Sequence, residues 1–212
     1  ELDGITVAAV KAKVLPCDDA TWQQSGLPAR SLARAGCRTL LYSANSGSMR
    51  EDVLPGSFLA FTDHINFIGF DPLSTEREGV GWDTPYLSKA ELYDATLTKR
   101  VGSQVEAAGV AFPTGVAGYW TGPSFETPAE IRLAQLAGCS ISSNSFLPEV
   151  MAGYHAGLKV VAFTFVSTMS AGIGPPIDLG PVLDLTHQAH DDYRTIVRAA
   201  IPVLAVPEGS GP

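Results

Sequence analysis

The chain has 212 residues, 45% hydrophobic and 17% charged, which suits one folded α/β domain and argues against disorder. A net charge of −8 offers DNA or RNA no counterion-release affinity, which argues against a nucleic-acid partner and leaves small molecules. Cys17, Cys37 and Cys139 are widely spaced with no Cys/His cluster, so neither zinc nor a disulfide framework is indicated, and reduced thiols fit a cytoplasmic protein.

No apolar run reaches the roughly 18 residues of a membrane span, and no signal peptide opens the chain, so no membrane partner is expected. Residues 5–15 alternate apolar and small side chains and read as a strand. Residues 28–37 read as a short helix with Pro28 in its first turn. Residues 39–42 read as a buried strand, followed by a small polar loop over 43–48. Residues 57–62 and 65–68 are strand-like, and 69–85, rich in Gly and Pro, form a loop. Residues 88–108 carry helical spacing through Leu92, Leu97, Val101 and Val105, and 110–121 read as a strand.

Thr127 can cap a helix, with Pro128 at its first position and Glu130 completing a capping box, and that helix runs to about Ala137. Residues 140–142 read as a strand, 147–157 as a helix and 160–166 as another buried strand. A Gly/Pro loop over 170–180 leads into a closing helix over 181–204, and 205–212 form a flexible tail. Strands alternating with helices over 1–204 give one α/β domain with a mixed, largely parallel sheet. Ligands in such sheets sit where strands end at their carboxyl side, here after Tyr42, Tyr119, Ser142 and Val166.

Several stretches then follow one another: LLY into SANSGSMREDVLPG, DHINFIGFDP, GYWTGPSFETPAEIRLAQLAG and NSFLPEVMAGYHAGLKVVAFTFVST, closed by VLDLTHQAHDDYRTIVRAAIPVL. In this order they resemble the trimeric purine nucleoside phosphorylases, with GSMREDVLPG and the last helix closest to the methylthioadenosine branch. The resemblance implies a mixed sheet that partly closes into a barrel, flanked by helices, and a homotrimer. It also implies a reaction in which phosphate attacks the anomeric carbon of a purine nucleoside and the base departs.

It further implies roles for particular residues. Glu126 would hydrogen-bond the purine edge and Phe125 would stack on its face; otherwise Glu126 is a first-turn acid favoured by the helix dipole and Phe125 a core aromatic. Asn144 and Ser145 would lie near ribose and phosphate, or simply cap a helix. Asn45 and Ser46 belong to a segment that faces phosphate and ribose, or to an ordinary turn. Ser167 would contact the substrate, and His64 reads as structural. His155, His187 and His190 read as helix-surface residues without chemistry.

The sequence also departs from that family. The family's opening strand and Gly/Ser-rich phosphate loop have no counterpart here. Lys13 and Leu15 stand where the family has an Arg and a His, and Lys lacks the fork of Arg. Thr168 replaces the base-protonating Asn or Asp; it can donate one hydrogen bond but is a poor general acid. Leu179 stands where a His binds the ribose 5′-hydroxyl, which suits an apolar 5′ group. Three readings follow: a divergent enzyme cleaving the N-glycosidic bond of a purine nucleoside, a repurposed enzyme acting on another small organic molecule without phosphate, or a non-catalytic subunit. None calls for a cofactor or metal; phosphate is the co-substrate of the first.

Overall fold

The computed structural model describes residues 1–11, 13–18, 20–74, 86–178 and 180–205. At its centre is β5 (Lys159–Met169), whose residues from Val160 to Val166 form a nearly continuous apolar run. Such a run belongs to a strand covered on both faces. Val160, Ala162 and Val166 join one apolar cluster, and Val161, Phe163 and Phe165 join another. β5 pairs in parallel with β1 (Thr39–Ser48) and antiparallel with β2 (Phe58–Asn66). β3 (Thr114–Tyr119) lies parallel to both β2 and β4 (Cys139–Ser143). β4 closes antiparallel onto β1 through Gly47 and Ser48. The order β1-β4-β3-β2-β5 is a closed, mixed barrel with helices around it, the α/β architecture expected from sequence.

α1 (Trp22–Arg34) packs against α4 (Leu147–His155), and the two approach so closely that a Cβ on Gly26 would meet the Cβ of Ala152 at 2.8 Å. α2 (Ala95–Ala107) packs against α6 (His190–Ala205) over the second cluster. α3 (Pro128–Leu136) buries Ile131 and Ala134 on a third cluster with Met49 and Cys139. α5 (Gly180–Gln188) leads into α6, with Ala189 between them. No described helix is long and apolar enough to cross a membrane.

Several expectations are corrected. Residues 5–15 form no strand among the described residues; only an isolated bridge joins Leu2 to Ile5. Alternation makes a strand only where a partner supplies the other half of the ladder. α1 begins at Trp22 rather than Pro28, because Thr21 and Gln24 complete a capping box: the Thr21 hydroxyl accepts from the Gln24 N–H at 3.2 Å, and the Gln24 carbonyl accepts from the Thr21 N–H at 2.7 Å. Pro28 therefore sits inside the helix.

The expected loop over 43–48 is strand, paired with β5 residue by residue and bulged between Ser46 and Gly47. The two strands expected between 57 and 68 are one, β2. α2 starts only at Ala95, where the Asp94 carboxylate accepts from the Leu97 N–H at 2.8 Å. The strand expected over 110–121 is confined to β3, and β5 runs on past Val166 through Met169. The closing helix is two helices, and Ala205 belongs to α6 rather than to the tail. The rest of that tail, Leu179 and residues 75–85 of the expected loop lie outside the described residues.

Candidate functional site

β1, β4 and β5 converge at Gly47, which faces Ser142 of β4 and Thr168 of β5 across the ladders. A Cβ at position 47 would lie 2.9 Å from Ser170 Oγ, 3.2 Å from Ser142 Oγ and 3.3 Å from Thr168 Oγ1. Three hydroxyls therefore surround the space that a side chain would fill. Ser142 and Ser170 are hydrogen-bonded at 3.2 Å. The Ser142 hydroxyl also lies near the Glu126 carboxylate. Glu126 is half-buried and immediately precedes the Thr127 cap of α3, so the capping box anchors the backbone beside it. Burial raises the Glu126 pKa above the ordinary carboxylate value; its own backbone N–H and the Ser142 hydroxyl oppose that shift, and nearby Glu130 adds to it.

A chain of hydroxyl contacts continues from this point. Ser167 Oγ donates to the Ser46 carbonyl at 3.3 Å, and the Ser46 hydroxyl turns inward to Thr164 Oγ1 at 2.9 Å. Ser143 Oγ donates to the Asn45 carbonyl at 2.7 Å and lies 3.3 Å from Ser145 Oγ. The Ser145 N–H also points at Ser143 Oγ, at 3.3 Å, so this turn at the start of α4 is held by its own hydroxyls. Asn144 is half-buried, its Nδ2 3.9 Å from Cys17 Sγ, and a Cβ on Gly122 would come within 2.6 Å of it. Ser167 and Thr168 line an open cavity of about 600 Å³ together with Pro55, Ile177, Val182 and Leu185. Phe125 is 53% exposed and joins no apolar cluster, so the core-aromatic alternative is set aside.

Lys13 is placed differently. Its ammonium donates to the Ser145 carbonyl at 2.7 Å and to the Tyr42 hydroxyl at 2.5 Å, and lies 3.7 Å from Glu149 Oε1. The ammonium also sits 4.8 Å from the centroid of the Tyr42 ring. Tyr42 has one proton to give; its oxygen lies against the Ser145 carbonyl and 3.1 Å from Glu149 Oε1. Burial dominates all three titratable groups, pushing Lys13 below its ordinary pKa, Glu149 above and Tyr42 well above. Lys13 thus fastens the first segment to the back of the Ser143–Ser145 turn. Its donors are matched from within the protein.

His64 is structural in placement. Its Nδ1 lies 3.1 Å from the Tyr93 hydroxyl, its ring packs edge-on against Tyr93 and Phe146, and burial lowers its pKa to about 4. His187 and His190 are exposed as expected, whereas His155 is half-buried. Among the described residues no three His, Cys, Asp or Glu side chains gather as a metal site. From sequence, Tyr42 and Ser142 marked strand ends but were given no role, and Ser170 and Glu149 were not singled out. The run of small hydroxyl residues from Ser140 to Ser145 was the available signal, since such residues in a buried strand must find partners.

A model of one protein family, described as the phosphorylase superfamily, matches residues 24–202. The chain belongs to the phosphorylase superfamily. Among its relatives is purine nucleoside phosphorylase 1 of Bacillus subtilis (strain 168), 28% identical over 94% of this chain and 74% of that protein. Another is purine nucleoside phosphorylase 1 of Geobacillus stearothermophilus, 28% identical over 97% and 75%. The fold matches a Schistosoma purine nucleoside phosphorylase crystallised with hypoxanthine, at a TM-score of 0.84 with 23% identity, over 92% of this chain and 72% of that one. In this phosphorylase-superfamily chain the matched stretch contains every residue of the Gly47 cluster, whereas Lys13 lies before it.

Proposed function

We propose that the chain cleaves the N-glycosidic bond of a purine nucleoside at the hydroxyl cluster around Gly47. The observation that carries this reading is Glu126, a desolvated carboxylate near Ser142, whose hydroxyl shares the space over Gly47 with those of Thr168 and Ser170, in a chain related to purine nucleoside phosphorylases. Glu126 reads the edge of the base and the exposed Phe125 ring covers its face. As the C1′–N9 bond breaks, negative charge builds on the purine, and the Thr168 hydroxyl donates one hydrogen bond to it. Phosphate forms the new bond to C1′, and the base takes up a proton. Ser167 lies beside the sugar with Asn45, Ser46, Asn144 and Ser145, and the 5′ group is apolar, in keeping with Leu179. The same reading carries a homotrimer in the cytoplasm.

A second reading is supported by Lys13. Its engagement with Ser145, Tyr42 and Glu149 leaves phosphate without the cation expected from sequence, which favours a reaction on a small organic molecule without phosphate. Incubation with inosine, adenosine and methylthioadenosine, with and without phosphate, separates the readings when free base is followed by chromatography. Base should appear with at least one of them. Glu126→Ala should slow its release on the order of 10²-fold, as removal of one preorganised polar contact does. Release that ignores phosphate keeps the cleavage and removes phosphate from it, and no base from any nucleoside rejects the first reading and favours the second.

A further inference from the structure

A second cavity, of about 700 Å³, is walled by residues of the first segment, of β1 and of α6. None of Gly47, Glu126, Ser142, Thr168 and Ser170 lines it. α6 carries two apolar stripes. Ile196 and Ala200 are buried in the second cluster. Tyr193, Val197, Ile201 and Leu204, spaced three to four residues apart on a neighbouring stripe, line the cavity instead. The Tyr193 ring is 39% exposed and packs 5.7 Å from that of Phe163, another lining residue. Val7 and Val10 of the first segment line it as well and are 40% and 49% exposed. Apolar walls left open to water favour any apolar body that covers them. The charged lining residues are Lys11, Lys13, Arg38 and Glu149. Lys13 and Glu149 lie 3.7 Å apart and offset each other. Lys11 and Arg38 are exposed and make no ion pair among the described residues. In a chain of net charge −8, this cavity therefore carries two unmatched positive charges and no unmatched negative one.

We propose that this cavity binds a small organic anion, a carboxylate carried on an aliphatic or aromatic body. The body lies against the second stripe of α6 and against Val7 and Val10, and the carboxylate meets Lys11 and Arg38. The volume is that of sites for small organic molecules, roughly 300–1,000 Å³. The charge selects among them. A cationic ligand is repelled by Lys11 and Arg38, and a neutral one leaves both unused. A free inorganic anion meets the two cations but leaves the apolar walls uncovered. Only a ligand with both parts satisfies both features of the lining. The proposal does not rest on the role given to Glu126, since the two sites share no residue.

The test is titration calorimetry with octanoate, with 1-octanol as the uncharged control and inorganic phosphate as the control without an apolar body. Octanoate should bind at one site per chain. Octanol should bind on the order of tenfold more weakly, the scale set by two partly exposed ion contacts. Lys11→Gln/Arg38→Gln should bring octanoate down to the affinity of octanol and leave octanol unchanged. Ala9→Phe, which adds a ring to the lining from an exposed position, should weaken both. Should the double variant fail to fold, salt decides in the wild type. Raising it to about 0.5 M should weaken octanoate and spare octanol. No saturable octanoate binding overturns the proposal, and copies associating through Val7 and Val10 in sedimentation would then make a second copy the occupant. Equal affinity for octanoate and octanol, or phosphate that displaces octanoate, also overturns it. Octanoate binding that ignores Ala9→Phe places the ligand elsewhere and overturns the assignment to this cavity.

Discussion

Glu126 and Glu149 are both carboxylates whose pKa is raised by burial, yet their surroundings are opposites. Glu149 is 4% exposed and faces a cation, Lys13, and a phenol, Tyr42. Glu126 is half-buried and lies near a neutral hydroxyl, that of Ser142, which in turn borders the space over Gly47. A buried anion matched by a cation holds the protein's own parts together. One that faces no cation keeps lone pairs for a ligand. The difference separates a structural clasp from a receptive site, although both lie next to the same Ser142–Ser145 stretch of chain.

The largest expected effect is on the clasp. Lys13→Met leaves Glu149 buried without its counter-charge, and breaking such a pair costs about 3–5 kcal/mol. The lower end applies here, since the Lys13 side chain is 31% exposed and partly screened already. The pH dependence has a definite sign. The folded-state pKa of Glu149 lies above its unfolded value, so the folded state binds the proton more readily. Stability from this group therefore falls as pH rises through the folded pKa. Lys13→Met raises that pKa further, so its cost should be greater at pH 8 than at pH 5 in urea unfolding. Equal losses at both values would show that Glu149 carries no buried charge, and the comparison would fail.

Gly47→Ala is the corresponding test of the receptive site. The new methyl would lie 2.9 Å from Ser170 Oγ, and overpacking of this kind costs about 2 kcal/mol. Because the nearest atom is a hydroxyl, Gly47→Ala/Ser170→Ala should recover part of the loss. A double mutant that merely sums its single mutants in thermal unfolding would break the claim that these side chains share one space.

This contrast was partly legible in the sequence, and the limits have physical causes. α3 was readable because Thr127, Pro128 and Glu130 act within one turn. The capping box of α1 was equally local, but Pro28 drew the boundary toward itself. The strand over 43–48 was not readable, because its ladder partner comes from residues 159–169 and its polar composition imitates a loop. Residues 5–15 failed the other way: their alternation is strand-like, but among the described residues only Ile5 has a bridge partner, Leu2. Glu126 stood out through the GPSFET frame. Ser142 and Ser170 did not, since only the barrel's register brings them to one glycine.

The smallest expected effect is at the cap that anchors the chain beside Glu126. Thr127 accepts from the Glu130 N–H at 3.3 Å, while its own N–H donates to Glu130 Oε2. Thr127→Ala removes the first bond and costs about 1 kcal/mol, which in a domain of this size lowers Tm by about 2–4 °C. The value of this variant lies in combination. If the clasp at Lys13 and the site at Glu126 are separate, Thr127→Ala and Lys13→Met share no partners and their losses should add within about 0.5 kcal/mol. A larger coupling would mean that loosening α3 is felt at Glu149. The stretch from Ser142 to Ser145, which touches Glu126 at one end and Lys13 at the other, would then be a connector between the two regions rather than a wall.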